Sequence, residues 1–146
     1  MWGRSKGAPD AYREESRVEA AALPADAGAR AAIKSYLRLE SGDEDALIDR
    51  LAASAIGHCE GFLGRQAIIR AVAETLPARG GWQRLSASPV RTVTGVEAID
   101  AVGAASALAI GGYAIDLDAS GDGWVRTIDA GGAAVVRVTY TAGLAS

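Results

Sequence analysis

The stretch AAVVRVTYTAG, residues 133–143, decides the fold class of this chain because apolar and polar residues alternate along it. Val136, Val138 and Tyr140 would point to one side of an extended chain and polar residues to the other, as in a strand with one buried face. Three earlier runs after position 82 have a similar texture and are bounded by Gly, Asp or Ser: PVRTVTGVEAI, ALAIGGYAIDLD and GWVRTID. The pattern predicts short antiparallel strands over residues 83–142.

The first half of the chain has helical spacing instead. Its clearest helix is SGDEDALIDRLAASAIGHCEGFLG, residues 41–64, in which Ser41 or Asp43 is predicted to cap the start and Gly64 the end. Acidic residues crowd its first turn, where the helix dipole favours them. Its apolar stripe recurs at helical intervals and consists of Ile48, Leu51, Ala52, Ala55, Cys59 and Phe62.

A shorter helix is predicted over residues 25–39, with Asp26 as its N-cap and Ile33, Tyr36 and Leu37 on one side.

The segment AIIRAVAETL, residues 67–76, suits either a helix or a strand. Pro77 and the Gly80-Gly81 pair end it in both cases. The whole chain therefore predicts an α+β domain over residues 23–146, with about two to three helices within 25–77 packed with a β-rich part.

Residues 1–22 mix charges of both signs without hydrophobic periodicity. They predict a terminal arm that is either mobile or ordered against a neighbouring subunit, with Trp2 and Tyr12 as the candidate anchors.

The composition of the chain limits the classes of function that it can have. The chain has 146 residues, of which 49% are hydrophobic and 23% charged, as in one ordinary globular domain. A net charge of −3 argues against non-specific nucleic-acid binding, which needs a strong positive excess. The single cysteine excludes an internal disulfide, and neither a secretory signal nor a membrane span is recognisable. These features predict a soluble protein made inside the cell.

The sequence offers little for catalysis. His58 and Cys59 are adjacent, so on a helix they point about 100° apart and do not form a nucleophile–base pair. Cys59 falls on the apolar stripe and is expected to be a buried, inert core residue. His58 is the only histidine, which leaves no second imidazole for a zinc site or a triad. No enzyme, resident metal or cofactor is predicted.

The acidic loop DLDASGDGWVRTID, residues 116–129, has two interpretations. Its Asp118, Ser120, Asp122 and Asp129 follow the ligand spacing of an EF-hand calcium loop. That loop lies between helices, however, whereas both flanks here have strand texture, and Asp-Gly favours a hairpin turn. The preferred interpretation is an exposed hairpin turn followed by Trp124 on a strand, and a small calcium-binding β-module is the alternative.

The order of motifs resembles the head–tail connector, or adaptor, proteins of long-tailed double-stranded-DNA phages. The family's short helix ending in "LR", its acidic "DDALI" helix and its aromatic residue before "GR" are matched within IKSYLRLESGDEDALIDRLAASAIGHCEGFLGRQAI, residues 33–68. LSASPVRTVTGVEAID matches a family strand, YAIDLDASGDGWVRTI its hairpin, and VRVTYTAG its C-terminal strand. The Ala- and Gly-rich style is also similar to adaptors of gene transfer agents, which are phage-like particles.

The resemblance implies a structural role. Such adaptors form a ring, usually of twelve copies, between the portal protein and the stopper or tail-completion protein, and DNA passes through the ring without sequence-specific binding. The implied location is the neck of a virion or phage-like particle, assembled in the bacterial cytoplasm.

The resemblance also implies candidate interfaces. The C-terminal segment is expected to reach the portal, with the candidates Tyr140, Thr141, Gly143 and Leu144. Trp2, Tyr12 and Trp124 are the other interface candidates. The acids at 43–45 are one candidate for facing the DNA channel, and a helix-start role is the alternative for them.

Overall fold

The computed structural model of the chain describes residues 17–22 and 27–145, which contain two helices and eight strands. The elements in chain order are β1 (Arg17–Ala20), α1 (Ala27–Leu37), α2 (Asp45–Leu63), β2 (Arg70–Pro77), β3 (Gln83–Arg84), β4 (Val90–Ile99), β5 (Ala105–Ala107), a 3-10 helix (Ile110–Gly112), β6 (Tyr113–Leu117), β7 (Gly123–Thr127) and β8 (Val135–Ala142).

Strand β8 lies at the centre of a five-stranded antiparallel sheet with the order β1-β2-β8-β4-β5. The predicted alternation is confirmed, because Val136, Val138 and Tyr140 are completely buried while Arg137 and Thr139 on the opposite face are partly exposed. A strand with partners on both edges has its backbone groups paired, so its apolar face can be buried at no cost in unmade hydrogen bonds.

A second, three-stranded sheet with the order β3-β7-β6 contributes to the same core. Val125 on β7, together with Leu85 directly after β3, packs in one cluster with the buried residues of the larger sheet. The shared core consists of Val72, Leu76, Leu85, Ala87, Val90, Val96, Val125, Val136, Val138, Tyr140 and Ala142. The predicted α+β class is therefore confirmed, with the core in the β part of the chain.

Two predicted boundaries change. Most of the ambiguous segment, residues 70–76, belongs to strand β2, so the helical part ends at Leu63 and not near residue 77. Residues 17–20, placed in the arm, form β1 and pair with β2 at the sheet edge. Local periodicity could not predict either boundary, because each one depends on pairing with a strand that lies far away in the sequence. Trp2, Tyr12 and Asp26 lie outside the described residues.

Helix α2 confirms the predicted element and its C-terminal cap, since Gly64 adopts the left-handed conformation with φ of 63°. The predicted N-cap is wrong. Glu44 occupies the N-cap position without a side-chain capping bond, and the Ser41 hydroxyl instead accepts a 3.4 Å hydrogen bond from the backbone N–H of Asp43 within the preceding turn.

The apolar stripe of α2 is only partly covered. Ile48 is buried and Ala52 half-buried, but Leu51, Cys59 and Phe62 are exposed, Phe62 to 91%. The prediction that Cys59 is a core residue is therefore wrong. The short α1 covers one side of α2, and the core that would bury the remainder is formed by the sheets instead.

Candidate assembly surfaces

The acidic loop is a hairpin turn between β6 and β7, as predicted. Asp118 organises it: its Oδ1 accepts hydrogen bonds from the backbone N–H groups of Ser120 (2.9 Å) and Asp122 (3.0 Å) and from the Ser120 hydroxyl (2.6 Å). Its Oδ2 accepts a 3.1 Å bond from the indole N–H of Trp124. Both carboxylate oxygens of Asp118 thus accept hydrogen bonds from donors within the same chain.

These donors stabilise the charged carboxylate. The Ser120 hydroxyl and the Trp124 indole lower the pKa of Asp118 to about 2, against the opposing effect of partial desolvation. Trp124 is therefore oriented along its own hairpin by Asp118, and its ring is half-exposed beside the turn.

Asp122 and Asp129 also have protein partners. Asp122 forms a 2.8 Å ion pair with Arg84 on β3. Asp129 lies past the end of β7, where its Oδ1 accepts a 2.8 Å hydrogen bond from the backbone N–H of Gly131 in another turn. Across residues 17–22 and 27–145, no three His, Cys, Asp or Glu side chains group closely enough to hold a metal ion. The geometry favours the turn over the calcium loop.

Tyr140, a candidate portal contact, is completely buried. Its hydroxyl donates a 2.8 Å hydrogen bond to Oε2 of Glu74 and accepts a 3.1 Å bond from the backbone N–H of Ala87. The backbone N–H and hydroxyl of Ser86 donate to the same carboxylate at 2.9 and 2.6 Å. Burial raises the pKa of the Tyr140 hydroxyl above its usual range. The Tyr140 side chain is therefore part of the core and is not accessible at the surface of the folded chain.

The C-terminal segment after β8 is tied down by its backbone. The N–H groups of Leu144 and Ala145 donate to the carbonyl of Ala67, and the Ala145 carbonyl accepts a 2.7 Å bond from the N–H of Ile69. Arg91 on β4 donates to the carbonyls of Gly143 (2.8 Å) and Leu144 (2.6 Å). The side chain of Leu144 is 47% exposed, so it is the apolar group that this segment presents outward.

Gly143 is required by this close approach. Its φ is +145°, and a Cβ atom there would lie 2.4 Å from the backbone nitrogen of Ile69. Thr141 is half-buried within β8. Of the four portal candidates, only Leu144 has a large exposed side chain, and the portal contact itself stays a prediction.

The same segment is coupled to α2 through the linker 65–69. Glu60, in the last turns of α2, accepts a 2.9 Å hydrogen bond from the backbone N–H of Ala67 and forms a largely buried ion pair with Arg70 at the start of β2. Sequence reasoning missed Glu60 and Arg91, because an acid on a helix and an arginine in a strand give no signal of their distant partners.

The two helices are joined by ion pairs. Arg30 on α1 binds Asp49 with two side-chain contacts, and Lys34 binds Asp45 at 2.6 Å. The Arg30 guanidinium lowers the pKa of Asp49 through this hydrogen bond. Asp45, part of the acidic group proposed for the DNA channel, therefore faces α1, whereas Asp43 is exposed.

His58 and Cys59 are both exposed on α2.

No helix in the described ranges is long and apolar enough to span a membrane.

No protein-family model and no curated protein matches the chain. Among solved structures, it is similar to a chain in the virion of a native gene transfer agent particle, with a TM-score of 0.66 and 27% identity over 88% of this chain and 72% of that chain. It is also similar to chains in two particle necks. One is the neck of an empty particle computed with C6 symmetry, with a TM-score of 0.63, 27% identity, and coverage of 88% of this chain and 72% of that chain. The other is the neck of a native particle computed with C12 symmetry, with a TM-score of 0.62, 25% identity, and coverage of 88% and 70%.

These matches confirm the predicted resemblance to connector proteins of phage-like particles. They support a structural neck protein of a phage-like particle. Exposed apolar side chains lie on the outward side of the C-terminal segment and on α2, and Trp124 is half-exposed on the hairpin.

Proposed function

We propose that this chain is a head–tail adaptor, which assembles as a ring of identical copies between the portal protein and the stopper or tail of a phage-like particle. The observation that carries the proposal is the similarity of 88% of the chain to chains of gene transfer agent necks. A ring of twelve copies is the proposed size, in line with the C12 symmetry of one of these necks.

The physical properties of the chain suit this role. A ring needs two different side surfaces on each copy that meet head to tail and close by rotation. Its lumen must let DNA slide, and a chain with a net charge of −3 neutralises few phosphates. Nothing in this role requires catalysis.

For the portal contact, we assign the outward side of the C-terminal segment, with Leu144 as its apolar contact. The backbone bonds of this segment to Ala67 and Ile69, and its clamp by Arg91, fix the position at which Leu144 is presented. A preordered contact loses less conformational entropy on binding than a loose tail does.

Co-sedimentation with portal rings would test the assignment. Leu144→Asp should abolish binding, since it places a charge in an apolar contact. Ile110→Asp is the matched control, because Ile110 is even more exposed, at 88%, and lies in the short 3-10 helix before β6. Equal binding by both variants would count against the role of Leu144. Loss of the gene without any effect on joining of heads and tails would count against the adaptor function itself.

A further inference from the structure

We propose that the two-helix unit carries both halves of the contact between neighbouring copies: the exposed apolar strip of α2 in one copy packs on the outer face of α1 in the next. The strip is formed by Leu47, Leu51 and Phe62. This inference rests on the proposed ring, and it identifies the surfaces that build that ring.

The strip follows one side of the helix. Leu47, Leu51 and Phe62 are separated by four and eleven residues, which returns each side chain to nearly the same direction at 100° per residue. They are 46%, 61% and 91% exposed. Because α2 has 19 residues and is about 28 Å long, the strip extends along most of the helix. Ser54 and His58 lie on the same side between Leu51 and Phe62 and are exposed, so the strip has apolar groups near both ends and polar groups in its middle. Large apolar side chains exposed together on one side of a helix mark contacts with other molecules.

Within the described chain, α1 leaves this strip uncovered. The residues of α2 that face α1 are Asp45 and Asp49, which bind Lys34 and Arg30. At 100° per residue, these two residues lie about 120° and about 160° around the helix from the centre of the strip. The link from α2 to the sheets runs through Glu60, which is on the far side of α2 from Leu51.

The opposite side of the unit has mostly small side chains. On α1, Arg30 and Lys34 point to α2, whereas Ala31, Ala32 and Ser35 form an exposed small-residue face away from α2. Tyr36 borders this face one turn after Ala32 and is 88% exposed. The larger Leu and Phe side chains of a strip can pack over the short side chains and against the Tyr36 ring.

A second copy is the occupant that uses both surfaces. The strip and the small-residue face are different surfaces on different sides of one unit, so joining them gives a head-to-tail contact that repeats from copy to copy. In a closed ring every strip and every small-residue face is covered. The C12 and C6 symmetries of the similar necks are of the cyclic kind that such a contact generates. A self-pairing strip would instead stop at a twofold dimer.

Disulfide cross-linking separates these arrangements. In a Cys59→Ser background, Leu51→Cys combined with Ala32→Cys places one thiol on each proposed face. We expect oxidation of this variant to give a ladder of covalent oligomers beyond the dimer, both in concentrated protein and in purified particles. Ala53→Cys combined with Ala32→Cys is the matched control: Ala53 is exposed on α2 but lies about 160° around the helix from Leu51, and this pair should give no ladder.

The outcomes distinguish the contact from the function. A dimer from Leu51→Cys alone, with no extension when Ala32→Cys is added, would overturn the head-to-tail contact. Incorporation of the double variant into particle necks without any ladder would also overturn it, while leaving the adaptor function in place. Absence of the unmodified chain from particle necks would overturn both. As a second measurement, Leu51→Lys should prevent neck incorporation while the melting temperature stays within a few degrees of the parent, because Leu51 contributes little to the core; normal incorporation would contradict the inference.

Discussion

Replacing Tyr140 with Phe should destabilise the folded chain by roughly 2–4 kcal/mol, although Phe fills nearly the same space. The hydroxyl donates to Glu74 at 2.8 Å and accepts from the backbone N–H of Ala87 at 3.1 Å. The lost bond to Glu74 accounts for about 1 kcal/mol net, and the buried N–H of Ala87 left without its acceptor accounts for about 1–3 kcal/mol. The sum is large for a single oxygen atom because both partners are buried.

Urea unfolding followed by circular dichroism measures this change as a shift in midpoint at constant slope. Tyr113→Phe is the matched control, since the Tyr113 ring packs against the same core and its hydroxyl makes no side-chain hydrogen bond within residues 17–22 and 27–145. We expect the control to change the free energy of unfolding by less than about 0.5 kcal/mol.

A double-mutant cycle sharpens the test. Ser86 and Tyr140 donate to the two oxygens of one carboxylate, that of Glu74, so Ser86→Ala and Tyr140→Phe should be coupled by about 0.5–3 kcal/mol. A Tyr140→Phe variant as stable as the parent, with additive effects in the cycle, would refute this account of the core. If Tyr140→Phe left the stability unchanged but prevented assembly, Tyr140 would again be a candidate for the portal interface.

Three further predictions concern the turn, the C-terminal segment and the thiol. Gly143→Ala should destabilise the chain by roughly 1–3 kcal/mol, because its Cβ would meet the backbone of Ile69; faster hydrogen exchange of the Ala145 amide would report the loosened segment. The pKa of Asp118 is lowered to about 2 in the folded chain, so its stabilisation of the turn is present above about pH 4 and is lost as the pH falls through about 2; the indole N–H resonance of Trp124 should titrate with it. Cys59 is exposed and should be labelled by a thiol reagent in the folded, isolated chain.

Each of these has a clear contrary result. Gly57→Ala is the control for the glycine test, since nothing lies within 4 Å of its added Cβ and Ala favours a helix; it should stabilise where Gly143→Ala destabilises. An indole resonance of Trp124 that titrates near pH 4 would show that the turn does not hold Asp118 in its charged form. Protection of Cys59 in the isolated chain would mean that α2 is covered.

The elements that could be predicted from the sequence are those whose signals are local. Alternation in 135–142 identified β8, left-handed Gly64 ended α2, and Asp-Gly with Asp118 made a turn whose bonds lie within a few residues. The family resemblance came from the order of such local motifs, and the structural neighbours confirm it. Exposure could not be read in this way, because an apolar stripe has the same spacing whether it faces a core or a second molecule.

By itself, the sequence determined the class of the fold, the face of β8 that is buried and the type of the 116–129 loop. Backbone propensity and side-chain alternation act over distances of a few residues, which is why they were sufficient. The tertiary structure alone decided that Tyr140 is a core residue held by Glu74, that Arg91 fixes the C-terminal segment, and that most of the α2 stripe is left exposed. Each of these depends on which distant segment lies opposite. Pairing of β8 with β2 and β4 sets the first two, and the position of the shared core in the β part of the chain sets the third.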